Sequence, residues 1–372
     1  MATVSLKNLT FTHAGQAAVR DLTLEIPDRA FAVLTGPRGC GKTTILRLIA
    51  GLEKNFQGEI FFGDKKVSDL DAGGRDVAMV YEDDALYPQM SIRENVAFGL
   101  KRRKFSQSEI ARRVQDVAAV LGVEELLERR TRDLSAVQRQ RVSIARAIAR
   151  QPKVLLLDEP LANFDAATRA ALRADLRKLH ERLEATIIYA TSDAAEAMAL
   201  GERIVVLQDG RVEQDGSLAA VYNAPANLFV AGFLGAPPMN FIHGTLKVER
   251  DALLFREAGA GTIEVRFPLA ERAVAGKLDD KAVVLGIRPE HVAIVEAEKG
   301  QEPANSFPAL IDFIETVGGE ATYHLQTGAH AIVARAGIRN GQQPAGRRAR
   351  ARLDERKVHL FEPGSTRRIA EA

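Results

Sequence analysis

Gly36-Pro37-Arg38-Gly39-Cys40-Gly41-Lys42-Thr43-Thr44 is the stretch that decides the fold of this chain. It matches the phosphate-binding loop pattern G-x-x-x-x-G-K-[ST], in which backbone N–H groups close around phosphate oxygens. The apolar run Phe31-Ala32-Val33-Leu34 precedes it and Ile45-Leu46-Arg47-Leu48-Ile49-Ala50 follows, so strand, turn and helix come in the order the loop needs. The helix N-terminus adds its partial positive charge. Lys42 is expected to reach the β- and γ-phosphates of a nucleoside triphosphate, and the Thr43 hydroxyl to sit on Mg²⁺.

The other half of such a site is expected at Val154-Leu155-Leu156-Leu157-Asp158-Glu159-Pro160. An unbroken apolar run is what a strand buried on both faces of a parallel sheet requires. Asp158 at its carboxyl end can hold Mg²⁺, directly or through water. Glu159 is then placed to take a proton from an attacking water.

Composition sets the frame. At 372 residues, one hydrophobic core is not enough and two domains are expected. A 46% hydrophobic and 27% charged content is ordinary for a globular protein, and a net charge of +2 gives no strong pull on nucleic acid. Cys40 is the single cysteine, so no internal disulfide can form and a reducing cytoplasm fits. It reads as a small loop residue rather than a redox centre. Nothing approaches the roughly 18 consecutive apolar residues of a membrane span, and no basic-then-apolar leader is expected. Work at a membrane would need other chains to cross it.

Along the chain, the runs Thr3–Thr12, Val19–Ile26 and Glu59–Phe62 predict an antiparallel sheet at the amino end. Parallel strands are expected at Phe31–Thr35, Val77–Tyr81, Val154–Asp158 and Thr186–Ala190. From about 87 to 150 the sequence is mainly helical and interrupts the sheet. Leu172, Leu176, Leu179 and Leu183 form one apolar helical stripe, and Asp209-Gly210 marks a hairpin. Ala236-Pro237-Pro238 marks a boundary, giving domains 1–235 and 236–372. Beyond it, short β-like runs (Ala282–Ile287, His291–Val295, Thr322–Leu325) with scattered glycines predict a small β-barrel.

Further stretches identify a resemblance. Leu134-Ser135-Ala136-Val137-Gln138-Arg139-Gln140-Arg141-Val142 resembles the LSGGQ-type signature of ATP-binding-cassette (ABC) ATPases. Leu161-Ala162-Asn163-Phe164-Asp165 resembles their D-loop, Asp83-Asp84-Ala85-Leu86-Tyr87-Pro88 the stretch after their Q-loop, and Tyr189-Ala190-Thr191-Ser192-Asp193 their switch region. Phe229-Val230-Ala231-Gly232-Phe233-Leu234-Gly235 and Gly286-Ile287-Arg288-Pro289-Glu290-His291 look like the subfamily that energises carbohydrate and glycerol-phosphate importers. The resemblance spans essentially the whole chain. It implies an α/β P-loop nucleotide-binding domain with an antiparallel subdomain and helical insertion, followed by an OB-like regulatory domain. It also implies ATP and Mg²⁺ as cofactors, membrane-spanning permease subunits as partners, and a solute-binding protein engaged indirectly. A homodimer or a heterodimer with a paralogous ATPase is implied, peripheral to the cytoplasmic face of the inner membrane.

Several family positions are altered here. Ala136 and Val137 stand where the signature has two glycines, and a Cβ, worse a β-branched one, crowds close backbone approach. In the family this signature caps the γ-phosphate held by the partner subunit, which would fall to Ser135 and Gln138. Ser135 and Gln138 also fit an S-x-x-Q capping box, so a helix cap is an equal reading. Ser192 replaces the switch histidine and cannot become cationic. Glu82 replaces the Q-loop glutamine; it can still ligate Mg²⁺. His13 stands where a larger ring stacks on adenine, and Arg38 adds charge inside the phosphate loop, toward the nucleotide or the partner's D-loop.

Two basic clusters, Lys101-Arg102-Arg103-Lys104 and Arg347, Arg348, Arg350, Arg352, lack aromatic interleaving and read as solvated surface rather than a nucleic-acid platform. Tyr87, Pro88, Met90 and Phe98 read as core of the helical insertion; by the resemblance they border the groove that receives a permease helix. Three functions remain open: an ordinary importer ATPase, a degenerate importer subunit that hydrolyses slowly, and an ATP-binding regulatory subunit outside transport.

Overall fold

The computed structural model describes residues 3–13, 15–83, 85–249, 252–268, 279–295, 303–337 and 346–369. Asp84, quoted above, lies outside them. The chain begins β1 (Val4–His13), β2 (Gln16–Ile26), β3 (Phe31–Thr35), α1 (Lys42–Ala50), β4 (Gln57–Phe62), β5 (Lys65–Lys66) and β6 (Val77–Val80). The helical stretch α2 (Ile92–Arg102), α3 (Gln107–Leu121) and α4 (Ala136–Ile148) follows. Then come β7 (Val154–Asp158), α5 (Ala166–Arg182), β8 (Thr186–Thr191), α6 (Ala194–Leu200), β9 (Arg203–Gln208) and β10 (Arg211–Ser217).

Period-2 patterning makes the first sheet. Val4, Leu6, Leu9 and Phe11 of β1 are buried while Lys7 and Asn8 between them are exposed, and the register of β1 on β2 shifts where that alternation slips. The antiparallel order is β2-β1-β4-β5. The second sheet is built differently: every residue of β3, β7 and β8 is buried. Its order is β10-β9-β3-β8-β7-β6, parallel from β9 to β6 and closed by the β9–β10 hairpin. Asp209 and Gly210, at φ 48° and 79°, supply the left-handed turn that the hairpin needs.

One core joins the two sheets through α1, with Leu6, Ile26, Leu34, Ile45, Leu46 and Leu156 among its members. Each such side chain fully buried contributes about 1.5–3 kcal/mol. The helices of the insertion are individually capped: Ser91 and Ser135 by full capping boxes, Ser106 by its hydroxyl, and α3 ends on Gly122 in the left-handed conformation. In α5 the stripe Leu172, Leu176 and Leu179 is buried as expected. The helix stops at Arg182, however, and Leu183 is extended, so the fourth leucine falls past its end.

By contacts the chain divides into Met1–Val221 and Tyr222–Ala372. Helix α7 (Leu218–Asn223) straddles the division and α8 (Leu228–Phe233) follows it. The second unit continues with β11 (Asn240–Val248), β12 (Ala252–Glu257), β13 (Glu264–Pro268), β14 (Lys281–Ile287) and β15 (Val292–Val295). It ends with β16 (Ser306–Val317), β17 (Glu320–Gln326), β18 (Ala331–Gly337), β19 (Arg348–Leu353) and β20 (His359–Phe361). Two five-stranded sheets result, β13-β12-β11-β14-β20 and β15-β19-β16-β17-β18, and Leu246, Phe255, Leu285, Phe307, Leu325 and Leu353 share one core. His291, expected in a strand, lies instead in a single 3₁₀ turn opened by Pro289, a residue suited to a helical first turn.

Arg288 ties this unit together. Its guanidinium is buried and donates to the carbonyls of Ala231, Leu234 and Tyr222 while lying 3.7 Å from the centroid of the Tyr222 ring. The Tyr222 hydroxyl donates to Glu290 at 2.7 Å. The two stretches Phe229–Gly235 and Gly286–His291 therefore meet through one arginine.

Candidate nucleotide site

The parallel register sets the site. Thr35 pairs with Thr191, and Asp158 with Ala190, so the loops leaving β3, β7 and β8 emerge side by side at the carboxyl edge of the sheet. The loop after β3 folds tightly. Gly36 has φ 148°, and a Cβ there would lie 2.1 Å from the Leu207 carbonyl oxygen. Gly41, at φ 106°, would place a Cβ 2.5 Å from the Ala18 oxygen. Any other residue at either position would push the loop off the sheet.

A cavity of about 360 Å³ opens there, lined by Arg38, Gly39, Gly41, Lys42, Thr43, Thr44, Glu82, Asp158 and Glu159. Lys42 is buried, and its Nζ donates to the carbonyls of Gly36 and Pro37, each at 2.9 Å, and lies 3.8 Å from Glu159 Oε1. The Thr43 hydroxyl donates to Asp158 Oδ1 at 2.9 Å. Burial holds the Asp158 carboxyl above the usual carboxylate range; the negative charges of Glu159 and Glu82 push the same way, against the Thr43 hydrogen bond and Lys42.

Oxygen donors of this hard type are what Mg²⁺ takes, and a cation beside Asp158 relieves the crowding of like charge. Among the described residues no three His, Cys, Asp or Glu side chains form a metal cluster. Glu159 sits in a left-handed conformation at φ 43°, uncommon for a residue with a side chain, and its N–H donates to Ala190 O at 2.9 Å. The Ser192 hydroxyl donates to Glu159 Oε2 at 3.2 Å. Asp193 caps α6 by accepting from Glu196 N, and Arg169 of α5 donates to its other oxygen at 2.8 Å.

The remaining expected residues fall elsewhere. His13 is exposed at the end of β1, near Phe11, and does not line the cavity. Ser135 and Gln138 close on each other: Gln138 N donates to Ser135 Oγ at 3.2 Å and Ser135 N to Gln138 Oε1 at 2.9 Å. Cys40 is buried within the loop, and that burial pushes its thiol up, away from a reactive thiolate.

Two contacts escaped sequence reasoning. The Arg169–Asp193 pair joins α5, which begins after Asp165, to the turn carrying Ser192. Asn95, fully buried in α2, accepts from Tyr87 N at 2.8 Å and donates to the Tyr87 and Ser91 carbonyls. A polar residue inside the apolar face of α2 was the available signal. Near it Tyr87 and Phe98 pack with centroids 4.6 Å apart, and Met90, Glu94, Phe98, Lys101 and Arg102 line a recess of about 380 Å³.

Comparison with known proteins bears on these observations. Residues 19–162 match the family described as ABC transporter, residues 235–292 the MalK OB fold domain, and residues 285–361 the TOBE domain. The chain is 42% identical to the sn-glycerol-3-phosphate import ATP-binding protein UgpC of Bordetella avium over 99% of both chains. It is 41% identical to the trehalose/maltose import ATP-binding protein MalK of Thermococcus litoralis, over 97% of this chain and 98% of that one. Among solved structures, the ATP-binding cassette MJ0796, a dimer bound to ADP and Pi, is similar with a TM-score of 0.51 and 31% identity, covering 58% of this chain and 98% of that one. The cbiO1 protein of Clostridium perfringens is similar at a TM-score of 0.55 and 28% identity, covering 59% and 90% respectively.

Proposed function

The chain belongs to the ABC transporter ATP-binding subunits of MalK/UgpC-type importers, and from that premise we propose how it uses ATP and for what. It binds Mg-ATP as one half of a dimer and drives uptake of a sugar, polyol or glycerol-phosphate-like solute through membrane permease subunits. The observation that carries this is the meeting of Lys42, Thr43, Asp158 and Glu159 at one sheet edge. Mg²⁺, when bound, neutralises phosphate charge; Thr43, Asp158 and Glu82 are the residues that would hold it.

In this reading Lys42 leaves the Gly36 and Pro37 carbonyls for phosphate oxygens. Glu159 accepts the proton of the attacking water, and Ser135 and Gln138 face the nucleotide of the partner subunit. Among the described residues no helix is long and apolar enough to cross a membrane. The recess at Met90 and Phe98 is the seat for a permease segment on the cytoplasmic face of the membrane. Nucleotide use lies in 1–235 and regulation in 236–372.

Turnover is slow. Val137 is half-buried in the first turn of α4, where a close approach to phosphate needs bare backbone, and Ser192 engages Glu159 instead of offering a cationic ring. Calorimetry with Mg-ATP on the wild type and Lys42→Ala tests the site. Binding should be lost in the variant, and equal affinities would remove the phosphate loop from the mechanism.

A further inference from the structure

A second cavity lies away from the nucleotide site, between the helical insertion and the core of the first unit. It measures about 330 Å³ and is lined by Ala119 to Gly122 at the end of α3, Arg141 of α4, and Asp175, Lys178, Leu179 and Arg182 of α5. That volume is at the small end of ligand pockets.

Its charge is unbalanced. Arg141 Nη2 donates to Asp175 Oδ2 at 2.6 Å, which uses the one carboxylate of the lining. Lys178 and Arg182 are exposed, and among the described residues neither side chain has a hydrogen-bond or ion-pair partner. They are four residues apart on one face of α5, a like-charge spacing that costs a helix a few tenths of a kcal/mol. A helix C-terminus favours nearby cations, and Arg182 lies in the last turn of α5. That preference does not account for Lys178 and Arg141 converging with it on one hollow.

Ala119, Val120 and Leu121 add an apolar stretch to the lining. The α3 carbonyls that would repel an anion are partly satisfied, since Gly122 N donates to Ala119 O and Val123 N to Ala118 O. Three cations share the one carboxylate of the lining, beside a small apolar surface.

We propose that this cavity is a binding site for a small organic phosphomonoester. Its dianionic phosphate would be held by Lys178 and Arg182, with Arg141 behind them, and its short carbon skeleton would lie against Val120. A guanidinium and an ammonium are the groups suited to phosphate oxygens, the first in a fork and the second as a point charge. The occupant bridges α3 and α4 to α5. Helix α4 begins after Ser135 and α5 after Asp165, so the ligand fixes the two helices whose first turns carry the signature and D-loop residues. Affinity for Mg-ATP or for a second subunit is thereby coupled to the ligand.

The test is titration calorimetry on the full chain carrying Lys42→Ala, which removes the phosphate loop as a competing seat, with glycerol 2-phosphate as probe. The wild type saturated with Mg-ADP gives the same measurement should Lys42→Ala not fold. One site is expected, weakened at least about tenfold by Lys178→Gln with Arg182→Gln, and glycerol itself should not bind. Both changed residues are exposed, so folding is not at stake. Undiminished binding in the Lys178→Gln/Arg182→Gln variant, or no binding up to about 10 mM probe, overturns the assignment.

Discussion

Substituting the residues proposed to face the γ-phosphate separates a slow ATPase from an ordinary one. In the proposed dimer, Ser192→His alone returns a ring at the switch but leaves Ala136 and Val137 where the first turn of α4 would approach phosphate. It should change steady-state phosphate release by less than about tenfold, because groups acting as one catalytic unit do not contribute independently. Adding Ala136→Gly and Val137→Gly should raise turnover by about 10²–10⁴ over the wild type, the usual worth of a positioned acid–base or phosphate contact. At about 1.4 kcal/mol per decade that is roughly 3–6 kcal/mol of transition-state stabilisation.

The structure gives reasons to expect the coupling. Ser192 Oγ holds one oxygen of Glu159 at 3.2 Å and Lys42 lies 3.8 Å from the other, so the candidate base is engaged on both sides. Histidine at 192 removes the first contact, but a base without a capped γ-phosphate opposite it gains little. The two glycines cost up to about 1 kcal/mol each in helix stability, which thermal unfolding of the same variants would report. Wild-type turnover equal to that of the triple variant refutes the reasoning, as does a single Ser192→His change that delivers the whole gain.

Two further outcomes follow from particular residues. Arg38 and Asp165 are both exposed, and in the proposed dimer they pair across the interface. Light scattering should show ATP-induced dimerisation weakened by Arg38→Asp or Asp165→Arg and regained in the double swap, whereas undisturbed single variants would dismiss the pair. In the second unit, burial first, then the positive Arg368 and Arg288, depress the His359 pKa from 6.5 to about 4. The folded state therefore favours neutral imidazole. That stability is complete above about pH 6.5 and is lost as pH falls toward about 4, where the unfolded chain binds the extra proton. A thermal midpoint that falls no further in the wild type than in His359→Gln across this window would contradict the assignment.

The phosphate loop and the parallel strands were legible because their constraints are local. A strand buried on both faces must be apolar throughout, and Gly36 and Gly41 are placed where no Cβ fits. The capping box at Ser135 was legible for the same reason, since its two partners are three residues apart. What stayed hidden depends on residues far apart in sequence. Arg288 and Ala231 stood out in separate stretches, yet nothing in either showed that the guanidinium of one closes on the carbonyl of the other. Ser192 was recognised as a loss of histidine, while its hydrogen bond to Glu159 needed β7 and β8 side by side. Helices α7 and α8, six residues each, are too short for periodicity to announce them.

Solute uptake by proteoliposomes tests import driven by this ATPase most directly. The vesicles would carry the permease subunits proposed as partners, with a solute-binding protein outside and Mg-ATP on the side that holds the chain. Uptake should require both ATP and this subunit and should stop with Lys42→Ala. Accumulation that proceeds equally without the chain, or with Lys42→Ala in its place, would contradict a role in energising transport.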